Sequence, residues 1–294
     1  MTTDPKASKE KNNIALTSVI AAVFLTSFKL VIGLLTGSLG ILSEALHSGL
    51  DLVAAVITLF AVRFADAPPD EGHNYGHGKI ENYSAFIETL LLLVTCGWII
   101  YEALHRLITG RMAIEVTAWS FIVIFFSIVV DVTRSRALYK VARKHDSQAL
   151  EADALHFSTD IWSSSVVLIG LAGAAFHFNY ADPIAALAVA LIVLSVSYRL
   201  GKRSFDALID RAPIGLINEI SDIVREIPEV KNFHDIKVRE SGPNKFVDLN
   251  IHVDKDLTIE QAHNISHKVE TAITDKIKNV KVMVHEEPDS REVS

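Results

Sequence analysis

Residues 38–62 read SLGILSEALHSGLDLVAAVITLFAV. The run is apolar over most of its length, and a helix needs about 20 residues to cross the hydrocarbon core of a bilayer. Three ionisable residues interrupt it: Glu44, His47 and Asp51. Because a charge at the centre of a bilayer costs at least ~2.5–3.5 kcal/mol, the run predicts a membrane-spanning helix whose polar residues have a function.

Five further apolar runs accompany this one in the first two thirds of the chain. They occupy residues 14–35, 83–104, 116–132, 152–178 and 183–200. The first run is too long for the apolar part of a signal peptide, and other runs follow it. The sequence therefore predicts an α-helical membrane protein whose six helices form a transmembrane bundle in the lipid bilayer.

The positions of Lys and Arg between the runs predict the orientation of this bundle. With a cytoplasmic N-terminus, thirteen of these residues fall in inside segments, against only Arg106 and Arg111 outside. The thirteen are Lys6, Lys9, Lys11, Arg63, Lys79, Arg134, Arg136, Lys140, Arg143, Lys144, Arg199, Lys202 and Arg203. We therefore expect a multi-pass protein with both termini in the cytoplasm, placed in the inner membrane if the source is bacterial.

The second and fifth runs share the pattern acid-Ala-Leu-His-x-x-x-Asp, which begins at Glu44 and again at Asp153. Residues four apart lie on one face of a helix, so each helix presents an imidazole beside a carboxylate. Two such helices facing each other supply two nitrogen and two oxygen ligands, a set that suits a tetrahedral, zinc-like ion. The candidate ligands are His47, Asp51, His156 and Asp160. The alternative is a buried polar network in which these groups satisfy one another. Glu44 and Asp153 are candidates for partners of the ligands or for proton carriers.

A second polar cluster lies between the second and third runs, in the sequence DEGHNYGHGK at residues 70–79. Asp70, His73 and His77 can converge on a divalent ion there, because the glycines between them permit tight turns. The alternative is an ordinary solvated loop.

The charge of the protein is concentrated at one end. Half of all residues are hydrophobic, yet the last 90 residues hold 18 acids and 12 bases and so carry −6 of the net charge of −7. This acidity suits divalent cations rather than nucleic acid, and the single Cys96 excludes an internal disulfide. We predict a cytoplasmic tail at residues 1–12, a six-span transmembrane domain at 13–204, a cytoplasmic α+β metal-binding and dimerisation domain at 205–288, and a flexible tail at 289–294.

The predicted α+β domain rests on regular patterns. Residues 213–227 have helical periodicity, residues 246–253 alternate between apolar and polar, and Thr258 with Gln261 resembles a capping box that opens a helix. A short strand follows at residues 280–285. Five histidines lie in this domain: His234, His252, His263, His267 and His285. Glu287 can share a strand face with His285, whereas we interpret His267 as an ordinary surface residue.

Taken together, these features resemble the cation diffusion facilitator family of zinc and divalent-metal transporters. The resemblance rests on the six runs, the two His-x-x-x-Asp pairs, the loop pattern Asp-x-x-His-x-x-x-His-Gly-Lys and a C-terminal domain that ends in Val-His-Glu-Glu-Pro. It implies a homodimer with a metallochaperone-like cytoplasmic domain that exports divalent metal, with Zn²⁺ as substrate and regulatory ligand, in exchange for protons. It implies no enzymatic activity.

The resemblance also assigns residues. It implies a transport site at His47, Asp51, His156 and Asp160, a loop site at Asp70, His73 and His77, and cytoplasmic sites that draw on His234, His263, His285 and Glu287. Some relatives have a histidine in place of Asn250, and His252 on the same strand face is a candidate substitute. Lys79 and Asp210 match an ion pair that helps to hold the family's dimer.

Several alternatives remain open from the sequence. Imidazole also binds Fe²⁺, Co²⁺ and Ni²⁺, so an exporter of these ions or of Cd²⁺ is possible. A membrane metal sensor that does not transport would use the same ligands. An intramembrane metalloenzyme is disfavoured because the chain lacks a His-Glu-x-x-His motif.

Overall fold

The computed structural model describes residues 5–109, 118–175 and 181–289. Arg111, the start of the fourth predicted run and the end of the fifth lie outside the described residues, as do residues 290–294 of the predicted flexible tail. The helices and strands, in chain order, are α1 (Pro5–Thr36), α2 (Leu39–Ala65), α3 (Lys79–Thr109), α4 (Ala118–His145), α5 (Gln148–Ala175), α6 (Ala181–Leu208), α7 (Leu216–Arg225), β1 (Asn232–Ser241), β2 (Asn244–Asp254), α8 (Ile259–Lys276) and β3 (Val280–Asp289).

Each predicted apolar run falls on one of the six long helices α1 to α6. By length and composition, three described helices qualify on their own as membrane spans: Pro5–Thr36, Glu44–Ala65 and Lys79–Thr109. The helices α4, α5 and α6 have 28 residues each. At 1.5 Å per residue they are about 42 Å long, which exceeds the ~30 Å of the hydrocarbon core.

Small residues allow the six helices to pack closely. In the bundle, α1 packs on α2 and α4, α4 on α5, and α3 on α5 and α6. A methyl group added at Gly201 of α6 would lie 2.7 Å from Thr89 Cγ2 of α3, so only glycine permits this approach. The packing brings the polar faces of α2 and α5 together.

Some residues predicted to lie in exposed segments are buried in the bundle. Residues 5–12, predicted as part of a tail, form the first turns of α1. Lys11 is 2% exposed there and pairs with Asp66 at 2.6 Å and with Glu81 at 2.9 Å. Arg134 is also buried, because α4 continues beyond its apolar run and Arg134 packs there against Ser18 of α1 and Phe157 of α5.

The C-terminal part forms the predicted α+β domain. Its sheet has the order β1-β2-β3; β1 and β2 are antiparallel, and β3 returns through α8 to lie parallel to β2. The turn between β1 and β2 places Gly242 at a positive φ of 58°, and the predicted capping box of Thr258 and Gln261 is present. The alternating residues of β2 that were predicted to face the core are buried: Val247, Leu249, Ile251 and Val253.

The turn between β1 and β2 docks against the start of α3. The backbone N–H of Gly242 donates to Asn82 Oδ1 at 2.8 Å, and Asn82 is fully buried. A methyl group added at Gly78 would lie 2.3 Å from the carbonyl oxygen of Ser241. The loop after α2 is therefore in direct contact with the C-terminal domain.

Candidate metal-binding sites

The two His-x-x-x-Asp pairs of α2 and α5 meet inside the bundle. His156 Nε2 lies 2.9 Å from Asp51 Oδ1, and His47 Nε2 lies 3.5 Å from Asp160 Oδ1. Within each helix, the His and Asp atoms are 4.0 Å apart in α2 and 3.9 Å apart in α5. We call these four residues the transport cluster, after the transport site that the resemblance predicts. The structure thus brings together all four ligands predicted from the sequence.

The four members of the transport cluster differ in burial. The side chain of His156 is 7% exposed, whereas that of His47 is 40% exposed. Two buried atoms of the cluster, Asp160 Oδ2 and His156 Nδ1, have no hydrogen-bond partner. Buried polar atoms are normally satisfied, so an unpartnered carboxylate oxygen beside two imidazole rings fits a cation ligand better than a closed polar network.

The acids that precede the two pairs are not hydrogen-bonded to the cluster. Glu44 forms an ion pair with Lys29 of α1 at 3.3 Å, and its side chain is half exposed. Asp153 is buried and accepts a hydrogen bond from Ser18 Oγ at 2.9 Å. In the described residues, both acids therefore contact α1 rather than the predicted ligands.

A buried arginine supports α5 beside the cluster, and sequence analysis missed this role. Arg134 Nε donates to Ser18 Oγ at 2.7 Å, and the guanidinium carbon lies 3.4 Å from the centre of the Phe157 ring. Phe157 follows His156 directly in α5. The stacked cation and the Ser18–Asp153 hydrogen bond fix the turn of α5 that carries this imidazole.

The predicted loop site is assembled on the protein surface. Asp70 Oδ1 lies 3.1 Å from His73 Nδ1, and Asp70 Oδ2 lies 3.4 Å from His77 Nε2. The backbone N–H of His73 also donates to Asp70, at 2.6 Å. This hydrogen bond, followed by the one from the His73 side chain, holds the pKa of the Asp70 carboxyl below its usual value. The three groups can share one divalent ion.

The C-terminal domain gathers part of its predicted ligand set. His252 Nε2 lies 3.2 Å from His234 Nδ1 and 3.5 Å from Glu287 Oε2. His234, His252 and Glu287 form what we call the tail cluster, and their ligand atoms lie within 4.8 Å of one another. Asn250 donates to Glu287 Oε1 at 2.9 Å. The structure thus places His252 where it can replace the ligand that Asn250 does not supply.

Two further predicted ligands are placed differently. His285 is exposed and reaches Glu287 at 3.9 Å, at the edge of the tail cluster. His263 lies on the exposed face of α8, where its ring is 5.5 Å from that of His267. The structure does not bring His263 into the tail cluster. His267 contacts Glu270 at 3.4 Å, as expected of a surface residue.

The predicted ion pair at the base of the bundle is formed within one chain. Lys79 Nζ lies 2.8 Å from Asp210 Oδ1 and also donates to the carbonyl oxygen of Leu208. It links the first residue of α3 to the segment just after α6. The pair therefore lies where the helices join the C-terminal domain.

The fold and the clusters define an integral membrane protein whose helices and attached domain both carry groups suited to metal cations. Residues 15–209 match the family model of the cation efflux transmembrane domain. Residues 215–289 match that of the cytoplasmic domain of cation efflux proteins. The chain belongs to this family, the cation diffusion facilitators, so the predicted family and fold class are confirmed.

Curated relatives cover almost the whole chain. The cation-efflux pump FieF of Serratia proteamaculans (strain 568) is 31% identical over 294 residues, which are 98% of this chain and 96% of the relative. The FieF pump of Yersinia enterocolitica is 30% identical over 288 residues, which are 97% of this chain and 95% of that relative. A metal-bound C-terminal domain of the CzcD transporter from Thermotoga maritima is 24% identical and covers 26% of this chain and 88% of that structure, with a TM-score of 0.25. The family models and the FieF relatives show that the protein is a membrane cation efflux transporter, and these relatives are pumps rather than enzymes.

Proposed function

We propose that this protein exports Zn²⁺ from the cytoplasm in exchange for protons, as a homodimer. The observation that carries the proposal is the transport cluster, in which each of the two imidazoles from α2 and α5 lies 2.9–4.0 Å from both carboxylates. Two nitrogen and two oxygen donors suit tetrahedral Zn²⁺, whereas sites made only of carboxylates favour harder ions such as Mn²⁺.

Proton exchange follows from the chemistry of the ligands. An imidazole must be neutral to bind a metal, so metal binding releases protons and protonation releases metal. Free imidazole titrates near ~6.5, close to physiological pH. We propose that the cluster loads metal when it is open to the cytoplasm and that protons displace the metal when it is open to the other side.

The other clusters supply the rest of the proposed cycle. The loop site, with Asp70 and His73 exposed and His77 half-buried, would collect metal on the cytoplasmic side. The tail cluster would sense metal in the domain at residues 205–288, and the Lys79–Asp210 pair would hold this domain to the transmembrane domain at 13–204 in each subunit of the dimer. This assignment requires both termini in the cytoplasm and, in a bacterium, an inner-membrane location.

The test is zinc flux in proteoliposomes under an imposed pH gradient. We expect the wild type to move Zn²⁺ against its gradient and to move protons the other way. Asp51→Ala and Asp160→Ala should each abolish flux, whereas Asp222→Ala, which removes an exposed carboxylate of α7, should leave it unchanged. Normal zinc flux in either transport-cluster variant would show that the site is assigned wrongly.

The same vesicles distinguish the alternative functions. Zinc binding without flux in the wild type would identify a metal sensor instead of a transporter. Competitive uptake of Zn²⁺, Cd²⁺, Fe²⁺, Mn²⁺, Co²⁺ and Ni²⁺ at several pH values ranks the substrates. If Fe²⁺ or another ion competes better than Zn²⁺, the export mechanism stands and the metal assignment changes.

A further inference from the structure

A lysine is buried inside the bundle next to the transport cluster. Lys29 of α1 is 5% exposed. Its ammonium group donates to Ser48 Oγ at 2.8 Å and lies 3.3 Å from Glu44 Oε2. Ser48 follows His47 directly in α2, so the ammonium group is held one residue from a ligand of the cluster.

The ammonium group lies on the face of α2 that carries the cluster. Ser48, which accepts its hydrogen bond, is three residues before Asp51, and residues three apart lie on the same face of a helix. Thr26, one turn earlier in α1, donates to the carbonyl oxygen of Ser48 at 2.9 Å. This second hydrogen bond fixes α1 against α2 at the level where the lysine lies. The ammonium group therefore has a defined place beside the cluster.

The ion pair with Glu44 does not explain why α1 has a lysine beside the transport cluster. The Glu44 side chain is 49% exposed, so solvent screens its charge and it neutralises the buried ammonium only in part. A buried charge that is only partly neutralised destabilises the fold, and an apolar residue at this position of α1 would be more favourable. A fixed positive charge beside a binding site for cations must also repel the metal ion.

We infer that Lys29 sets the metal affinity of the transport cluster, by placing a fixed positive charge on the α2 face that carries His47 and Asp51. The inference rests on the proposed function. A transported ion must bind firmly enough to enter the site and weakly enough to leave it. Lys29 offsets one of the two carboxylate charges, which weakens metal binding, and it remains as a counter-charge for Asp51 and Asp160 after the metal has left. It forms no hydrogen bond or ion pair with any of the four ligands, so it acts through its charge and not as a ligand.

The charge model predicts effects of opposite sign for the two partners. Lys29→Gln removes the repulsion, so the zinc concentration for half-maximal flux should fall on the order of tenfold, and the maximal rate should fall because release becomes slow. Glu44→Gln leaves the ammonium group less neutralised, so the half-maximal concentration should rise. Lys29→Arg should behave as the wild type. The double variant Lys29→Gln/Glu44→Gln should lie between the two single variants.

The experiment measures zinc flux against free zinc in proteoliposomes at fixed pH on both sides, with an equilibrium zinc titration of the purified full chain. A lower thermal stability of Lys29→Gln with unchanged zinc affinity would show a purely structural role and overturn the inference. If Lys29→Gln does not fold, an unchanged affinity in Glu44→Gln would overturn it as well. If the proposed function itself were wrong, Asp51→Ala would transport zinc normally. The two failures are therefore distinguishable.

Discussion

The transport cluster and the tail cluster combine the same kinds of ligand in opposite surroundings. In the transport cluster, His156 and Asp51 are buried, and the ligands come from helices α2 and α5, which are about a hundred residues apart in the chain. In the tail cluster, the ligands sit on three adjacent strands, and His234 is exposed to solvent. Packed helices cover the transport cluster except at His47, which is 40% exposed, whereas the tail cluster is displayed on a sheet.

This difference bears on what each cluster can do. Ligands that are covered by packed helices are held by those helices, so we expect an ion to exchange at the buried His156 and Asp51 only when the helices move. A displayed set exchanges ions with the solution without any movement of the fold, which suits a sensor of the metal concentration. The proposed roles of transport and sensing therefore follow from burial more than from the identity of the ligands.

The difference between the two clusters is tested most directly by removing one imidazole from each. We expect His156→Asn to lower zinc flux by about a hundredfold, because it removes a nitrogen ligand that no neighbouring group can replace. The matched change His252→Asn in the tail cluster should alter flux by less than about threefold. Zinc flux in proteoliposomes measures both variants, and equal losses would mean that the two clusters do not differ in role.

A second prediction concerns the contact between the two regions. Gly78→Ala would place a methyl group 2.3 Å from the carbonyl oxygen of Ser241, so the loop or the β1–β2 turn must shift. Overpacking of this kind destabilises by about 1–3 kcal/mol, which we expect to lower the thermal unfolding temperature of the detergent-solubilised protein by several degrees. Gly72→Ala in the same loop is the control, because its new methyl group would meet no atom closer than 3.6 Å. Equal melting of the two variants would argue that the regions are not packed together here.

Much of this architecture could be predicted from the sequence because it depends on local periodicity. The apolar runs located the six long helices, the alternation of residues 246–253 located β2, and Thr258 located the start of α8. The spacing of four residues between His and Asp likewise predicted that each helix presents both groups on one face. Such features need no knowledge of which helix packs against which.

The remaining features depend on tertiary contacts between distant residues. Lys11 and Arg134 have the composition of solvent-exposed cations, and only the packing of α1 against α2, α3 and α4 buries them. His263 and His252 are both histidines of a metal-rich domain, yet the strand register brings His252 to Glu287 while α8 directs His263 to solvent. A single sequence contains no signal that separates such cases.

A third prediction concerns Asn250, at which a histidine would add an imidazole to the tail cluster. Asn250 pairs in register with His234 on one side and with His285 on the other. We therefore expect Asn250→His to tighten zinc binding by the tail about tenfold, since it adds a nitrogen ligand between existing ones. The control is Asn218→His on the exposed face of α7. A zinc titration with a competing chelator measures the change. Equal zinc affinities in the two variants would show that position 250 is not part of the binding site.

The smallest effect is expected from a carboxyl group of β1 near the contact between the two regions. Burial raises the pKa of Glu240 above its usual value. Because the folded pKa lies above the unfolded one, the ionised carboxylate destabilises the fold at neutral pH, and this penalty disappears as the pH falls through the folded pKa. Glu240→Gln should therefore raise the unfolding temperature by about 1–2 °C at pH 7.5 and lose this advantage near pH 4.5.

The pKa of Glu229 shifts in the opposite direction, because its hydrogen bond from Lys268 lowers it. Glu229→Gln should therefore slightly destabilise the fold at neutral pH. If Glu240→Gln instead lowered the unfolding temperature at pH 7.5, the ionised carboxylate would stabilise the fold. The prediction that its burial is unfavourable would then be wrong.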